Sequence, residues 1–150
     1  MGYYTRFQCS FTLKKDTPLE IINYLKHVIT SKFNDNWSDE VEKLKNSDYF
    51  NHSFFKCSRE ISLFIGSNGC EQLEPRYFTI SPNGYYKLKL NSKFKDYDCE
   101  IYKFIDWIQP YIAGRKKKHF IGWYKGEDFT RTNIYRNEDF KEVIKLYCND

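Results

Sequence analysis

Alanine is almost missing from this chain. It occurs once in 150 residues, at Ala113. Close packing of helices through small side chains is thereby excluded, so the core has to be filled with rings and branched aliphatics. Long apolar runs are missing too. No stretch approaches the ~20 residues of a membrane-spanning helix, and the opening MGYYTRFQCS has no cationic segment followed by an apolar one. Neither a membrane span nor a secretory leader is expected. Arg6 stands where an N-myristoylation motif carries Ser or Thr, which excludes that anchor. No CxxC pair exists among Cys9, Cys57, Cys70, Cys99 and Cys148, and their number is odd. Metal-ligand spacing is absent, so neither metal nor cofactor is expected, and scattered thiols suit a reducing cytoplasm. Charge of one sign is not dominant either. With 24 basic and 20 acidic residues the net charge is +4. That is too positive for a mimic of DNA, and too weak by itself to name a nucleic-acid binder.

Aromatic residues are abundant, with thirteen Phe, thirteen Tyr and three Trp. The length fits one domain spanning 1–150, and no linker, repeat or low-complexity tract divides it. From Tyr3 to Leu13 the residues alternate. Tyr3, Phe7, Cys9, Phe11 and Leu13 fall on one side, and Arg6, Gln8, Ser10, Thr12 and Lys14 on the other. Period two predicts a strand with one buried face. Thr17-Pro18-Leu19-Glu20 has the form of a capping box, opening a helix to about Thr30 with Ile22, Leu25 and Ile29 in its stripe. A short helix capped by Ser38 is expected to Asn46, then an irregular aromatic stretch to Cys57. Glu60 to Ile65 reads as a strand ended by Gly66-Ser67-Asn68-Gly69. Arg76 to Ile80 and Tyr85 to Leu90 flank Asn83-Gly84, a hairpin signature. Ile101, Phe104, Ile105, Ile108 and Ile112 give the clearest helical period, with Asp98 or a neighbour as cap and Pro110 and Gly114 at the end. Strands at Phe120 to Lys125 and Arg131 to Tyr135 follow, then a terminal helix capped by Asn137. Helices separated by hairpins predict an α+β fold. The expected form is a mainly antiparallel sheet with helices on one face, an elaborated split βαβ, ferredoxin-like core.

The run from Phe94 to Ile112, FKDYDCEIYKFIDWIQPYI, resembles a small family of phage and prophage proteins carrying K-N-Y-D-x-E-I-x-K-F-L-x-W-I-x-P-Y-I and then an F-L-G-Y strand. Phe120-Ile121-Gly122-Trp123-Tyr124 and Ile134-Tyr135 match the later strands, and the likeness covers about a third of the chain. Lys14 to Pro18 and Phe54-Phe55-Lys56 are fainter echoes. That family has no established activity, so the resemblance implies provenance rather than chemistry. Two departures stand out. Asp96 replaces an Asn, and the loop from Gly114 to His119 is strongly basic.

That loop supplies the candidate binding residues Arg115, Lys116, Lys117 and Lys118. Lys87, Lys89, Lys93, Lys95 and Lys125 extend the patch, with Tyr85, Trp123 and Tyr124 as stacking platforms for single-stranded nucleic acid. Cations after a helix C-terminus also complement its dipole, which is the plainer reading. An RNP1-like run is absent at Asn83 to Leu88. No catalytic residue is assigned. Glu127 and Asp128 are adjacent and face opposite ways on a strand, His27, His52 and His119 have no HxxxH spacing, and only folding could pair Cys57 with His52. Gly66 to Gly69 lacks the Gly-Lys-Ser/Thr of a phosphate loop. Trp107 belongs at the core edge, and Trp37 and Trp123 are expected at the surface, where exposed rings anchor partners. Taken together, the expectation is a non-catalytic, cytoplasmic, phage-type accessory protein that binds and modulates a host or rival-element protein. The alternative is a nucleic-acid module using residues 114–119.

Overall fold

The computed structural model describes residues 4–31, 36–57, 60–66, 73–114, 118–127 and 129–137. Strand β1 (Thr5–Thr12) leads into α1 (Leu19–Thr30) and α2 (Trp37–Leu44). Two single 3₁₀ turns follow, Asp48–Phe50 and Ser53–Lys56, then α3 (Glu60–Ile65). The hairpin β2 (Tyr77–Ile80) and β3 (Tyr86–Phe94) precedes α4 (Glu100–Ile108), and β4 (Lys118–Gly126) and β5 (Thr132–Asn137) complete the described chain. The five strands form one antiparallel sheet in the order β2-β3-β1-β4-β5. Without β5 the order is 4-1-3-2, that of a split βαβ core, with β5 added beside β4 as a hairpin.

Alternation along β1 decides which side is buried. Phe7, Cys9 and Phe11 meet Leu88, Leu90, Ser92 and Phe94 of β3 beneath the helices. The α1 stripe of Ile21, Ile22, Leu25, Val28 and Ile29 is buried, as is Ile101, Phe104, Ile105 and Ile108 of α4. Rings fill the space between. Tyr24 is buried edge-on to Phe50, Phe55, Phe64 and Trp107, with centroids 5.3–5.8 Å away. Trp107 also donates its indole N–H to the Tyr49 carbonyl at 2.8 Å. Scarce alanine thus has its structural counterpart in a ring-on-ring core.

Several local expectations are corrected. Glu60 to Ile65 is helix α3, not a strand. Six residues are too few to separate a period of two from 3.6, and the helical turn brings the Glu60 carboxylate to Tyr24 and Lys45. The Tyr24 hydroxyl donates to it at 2.7 Å, and the Lys45 ammonium donates to both its oxygens at 3.2 and 2.9 Å. The capping box does not form. The Thr17 hydroxyl donates to the Lys14 carbonyl at 2.6 Å within the preceding turn, and Pro18 takes the cap position. Ser38 lies inside α2, which is preceded by Asn36. The cap position of α4, expected at Asp98 or a neighbour, is taken by the neighbour Cys99, at φ 58°. Trp37 is fully buried and stacks on His27 at 5.6 Å, so it is no surface anchor. Asn137 ends β5, and the terminal helix expected beyond it falls outside the described residues.

Candidate binding face

The second side of the sheet follows from the same alternation. On β1 it presents Arg6, Gln8, Ser10 and Thr12, which pair with Lys93, Asn91, Lys89 and Lys87 of β3. Across the other edge of β1, Arg6 pairs with Lys125 and Gln8 with Trp123. One row of the sheet is therefore Lys93–Arg6–Lys125, three cations from three strands. The next row on this side is Asn91–Gln8–Trp123, which β5 continues with Asn133. Arg6, Lys87, Lys93 and Lys125 are exposed, and Gln8, Lys89 and Trp123 are half-buried. Asn91 is the buried member. Its amide donates to the Glu74 carbonyl at 3.1 Å, and its Oδ1 has no partner among the described residues.

Aromatic rings flank the cation row. The Arg131 guanidinium lies 4.7 Å from the Trp123 ring centre and Arg6 5.8 Å. Lys93 and Lys95 lie 5.3 and 5.4 Å from the Tyr4 ring. A cavity of about 440 Å³ is lined by both rings together with Arg6, Lys93, Lys125, Leu73, Gly126 and Glu127. The Tyr4 backbone N–H donates to the Glu127 carboxylate at 3.3 Å. Farther along β4, exposed Phe120 meets Tyr135 edge-on at 5.9 Å, and Lys118 lies over the Tyr135 ring at 4.7 Å.

The expected binding residues are thus divided. Lys87, Lys89, Lys93, Lys125 and Trp123 share one face. Tyr124 turns to the helix side, where its hydroxyl lies 2.6 Å from that of Tyr102. Tyr85 lines a separate hollow beside Lys15 and Gly114. Lys118 and His119 begin β4 instead of extending the loop, and Arg115, Lys116 and Lys117 lie outside the described residues. Arg6, Tyr4 and Arg131 were not among the expected site residues. For Arg6 and Tyr4 the signal was present, because both have the parity of the polar side of β1.

The Cys57–His52 pair is ruled out by its bonds. His52 Nδ1 accepts the Phe54 N–H at 3.1 Å, so Nε2 carries the proton and donates to Asp106 Oδ2 at 2.7 Å. Neither nitrogen remains to take a proton from a thiol. Burial pushes the Cys57 thiol up to about 11, and it donates to the Ser53 carbonyl at 3.5 Å. Cys9 is likewise buried, unbonded to another cysteine and raised by burial. Cys99 is in a disulfide, which departs from the scattered thiols read from the sequence. Among the described residues no group of three or more His, Cys, Asp or Glu side chains is placed to hold a metal, and no helix is long and apolar enough to cross a membrane.

One carboxyl pair is tied to the departure at Asp96. Asp96 Oδ1 accepts the Ile101 N–H at 3.4 Å at the start of α4, and its carboxyl also hydrogen-bonds fully buried Glu100. Burial first, then this bond and the Glu100 charge, raise Asp96 to about 8. The folded protein then binds a proton that the unfolded chain releases near pH 4, so stability falls as pH rises from about 4 to about 8. Asp96→Asn keeps a neutral hydrogen-bond donor toward Glu100. Its melting temperature is expected to exceed that of the wild type at pH 8 and to vary less between pH 5 and pH 8. Parallel wild-type and variant profiles would refute the raised Asp96 carboxyl.

Compared with known proteins, the chain matches no family model, no curated sequence and no solved structure. Its function is therefore argued from its own surface.

Proposed function

We propose that this is a non-catalytic, phage-type accessory protein of the cytoplasm that holds single-stranded nucleic acid on the open face of its sheet. The observation that supports this most is the row Lys93–Arg6–Lys125 beside Trp123. Like charges directly opposite each other on neighbouring strands repel, and a chain of phosphates removes that repulsion. Half-exposed rings next to the row, Trp123 and Tyr4, suit unpaired bases, whose faces are free to stack, better than a closed duplex. The proposed site is thus the sheet face, not the 114–119 loop of the alternative expectation. An acidic protein would meet the same charges, so the expected modulator of a protein partner becomes one outcome of the test.

The test is binding of a labelled oligothymidylate, followed by anisotropy at several salt concentrations. Log affinity is expected to fall linearly with log salt. Lys93→Gln and Lys125→Gln should each reduce the slope by about 0.7, the contribution of one phosphate contact on a single strand. Slopes unchanged in these variants and in Lys87→Gln and Lys89→Gln alike, or a cellular partner that stays bound through nuclease treatment and competes with the oligonucleotide, would replace nucleic acid with protein as the ligand.

A further inference from the structure

Resting on that reading, we infer that the cavity between Tyr4 and Trp123 seats one nucleotide unit, with its phosphate on the Lys93–Arg6–Lys125 row and its base against Trp123. The register carries the assignment. Arg6 has a cation directly opposite on both sides, Lys93 on β3 and Lys125 on β4. All three side chains line the same cavity. Two residues along β1, the row changes from charged to amide and aromatic, with Gln8 between Asn91 and Trp123. Two residues of strand span about 6.6 Å. That is the order of separation between a phosphate and the base it carries through one sugar, so the two rows match the two halves of a nucleotide.

Size and charge agree. About 440 Å³ lies toward the small end of ligand pockets and holds one such unit rather than a stack of several. The cations at Trp123 and Tyr4 hold both rings at the rim: Arg6 and Arg131 at the first, Lys93 and Lys95 at the second. Glu127 gives the seat a direction. Its carboxylate repels phosphate but accepts hydrogen bonds from a sugar hydroxyl or a base amino group, as it already does from the Tyr4 N–H. The unit can come from within a strand or as a free nucleotide, and the chemistry is the same.

Tryptophan fluorescence of the full chain separates these sources. Trp37 and Trp107 are buried, whereas Trp123 is half-exposed on the binding face. Titrations with oligothymidylate, thymidine 5′-monophosphate and thymidine are expected to rank in that order, with thymidine inert at the same concentrations. Trp123→Phe should remove most of the quenching, and Trp123→Ala should weaken oligonucleotide binding about tenfold or more. Arg6→Gln, Lys93→Gln and Lys125→Gln should each weaken the monophosphate as well as the oligonucleotide, and Lys87→Gln should leave the monophosphate unchanged. Circular dichroism confirms that each variant is folded. If oligonucleotide binding responds to Lys87 and Lys89 but not to the three row residues, the seat is wrong and the open face stands. If the monophosphate binds and the oligonucleotide does not, the seat stands for a free nucleotide and the strand-binding reading falls. If neither binds, both fall.

Discussion

Gly122→Val is expected to leave no folded protein, and Gly122→Ala to cost about 3 kcal/mol or more, above the usual range for overpacking. A Cβ on Gly122 would press into the Gln8 carbonyl oxygen and stand 2.6 Å from Cys9 Cα, both of them atoms of β1. Neither can retreat, because β1 is hydrogen-bonded on its other side to β3. The glycine also sits at the irregularity where Phe120 pairs with Tyr135 but Gly122 with Ile134, leaving Ile121 to turn inward and be buried. Bulges of this kind redirect a strand and tolerate little change. Gly84 offers the contrast. A Cβ there meets nothing within 4 Å, so only its φ of +83° resists substitution. Urea titration of the two alanine variants compares crowding with backbone strain. A cost at Gly122 no larger than that at Gly84 would show that β1 and β4 can move apart.

Lys45→Met is expected to cost about 3–5 kcal/mol, the range for leaving one partner of a buried ion pair uncompensated. The Lys45 and Glu60 side chains are only 10% and 6% exposed. Burial lowers the Lys45 ammonium, but its bonds to Glu42 and Glu60 outweigh that and hold it above its ordinary range. At Glu60 burial prevails over the bonds from Tyr24 and Lys45, so that carboxylate is raised. Without the ammonium, Glu60 would face Tyr24 and the ring cluster alone. Adding Glu60→Gln to Lys45→Met should recover much of the loss, because a neutral amide can still accept the Tyr24 hydroxyl. Chemical denaturation of the two variants decides the matter. A single-variant loss below about 1 kcal/mol would mean that water reaches the carboxylate.

The long helices and the hairpin were legible because their signals are local and repeated. Ile101, Phe104, Ile105 and Ile108 span two turns, and Asn83-Gly84 needs only its own backbone freedom. Where a signal was short or contested, another contact won. EISLFI holds too few residues to declare a period, and the contact that accompanies its helix, Glu60 with Lys45, joins residues fifteen apart. Thr17 was expected to cap α1, and its hydroxyl instead donates to the Lys14 carbonyl. The binding face was half legible. Lys87 and Lys89 share a side by alternation alone. That Lys93, Arg6 and Lys125 form a row depends on the register of three strands far apart in sequence, which no local pattern encodes. Trp123 and Tyr124 were expected to act together, yet adjacent strand residues face opposite sides, and the half-buried hydroxyl pair with Tyr102 claims Tyr124.

The position of β1 has a consequence for how the chain is made. This strand leaves the ribosome before both of its neighbours, yet it is the centre of the sheet, and its partners are β3, ending at Phe94, and β4, ending at Gly126. Until β3 and β4 have been synthesised, Phe7, Cys9, Phe11 and Leu13 have no sheet to join. Contacts so distant in sequence slow folding, and an apolar strand waiting for its neighbours is open to association with other chains. The polar residues on its opposite side, Arg6, Gln8, Ser10 and Thr12, keep half of that waiting strand hydrated. The same residues that form the proposed nucleotide seat in the finished protein would thus help to protect it while it is being made.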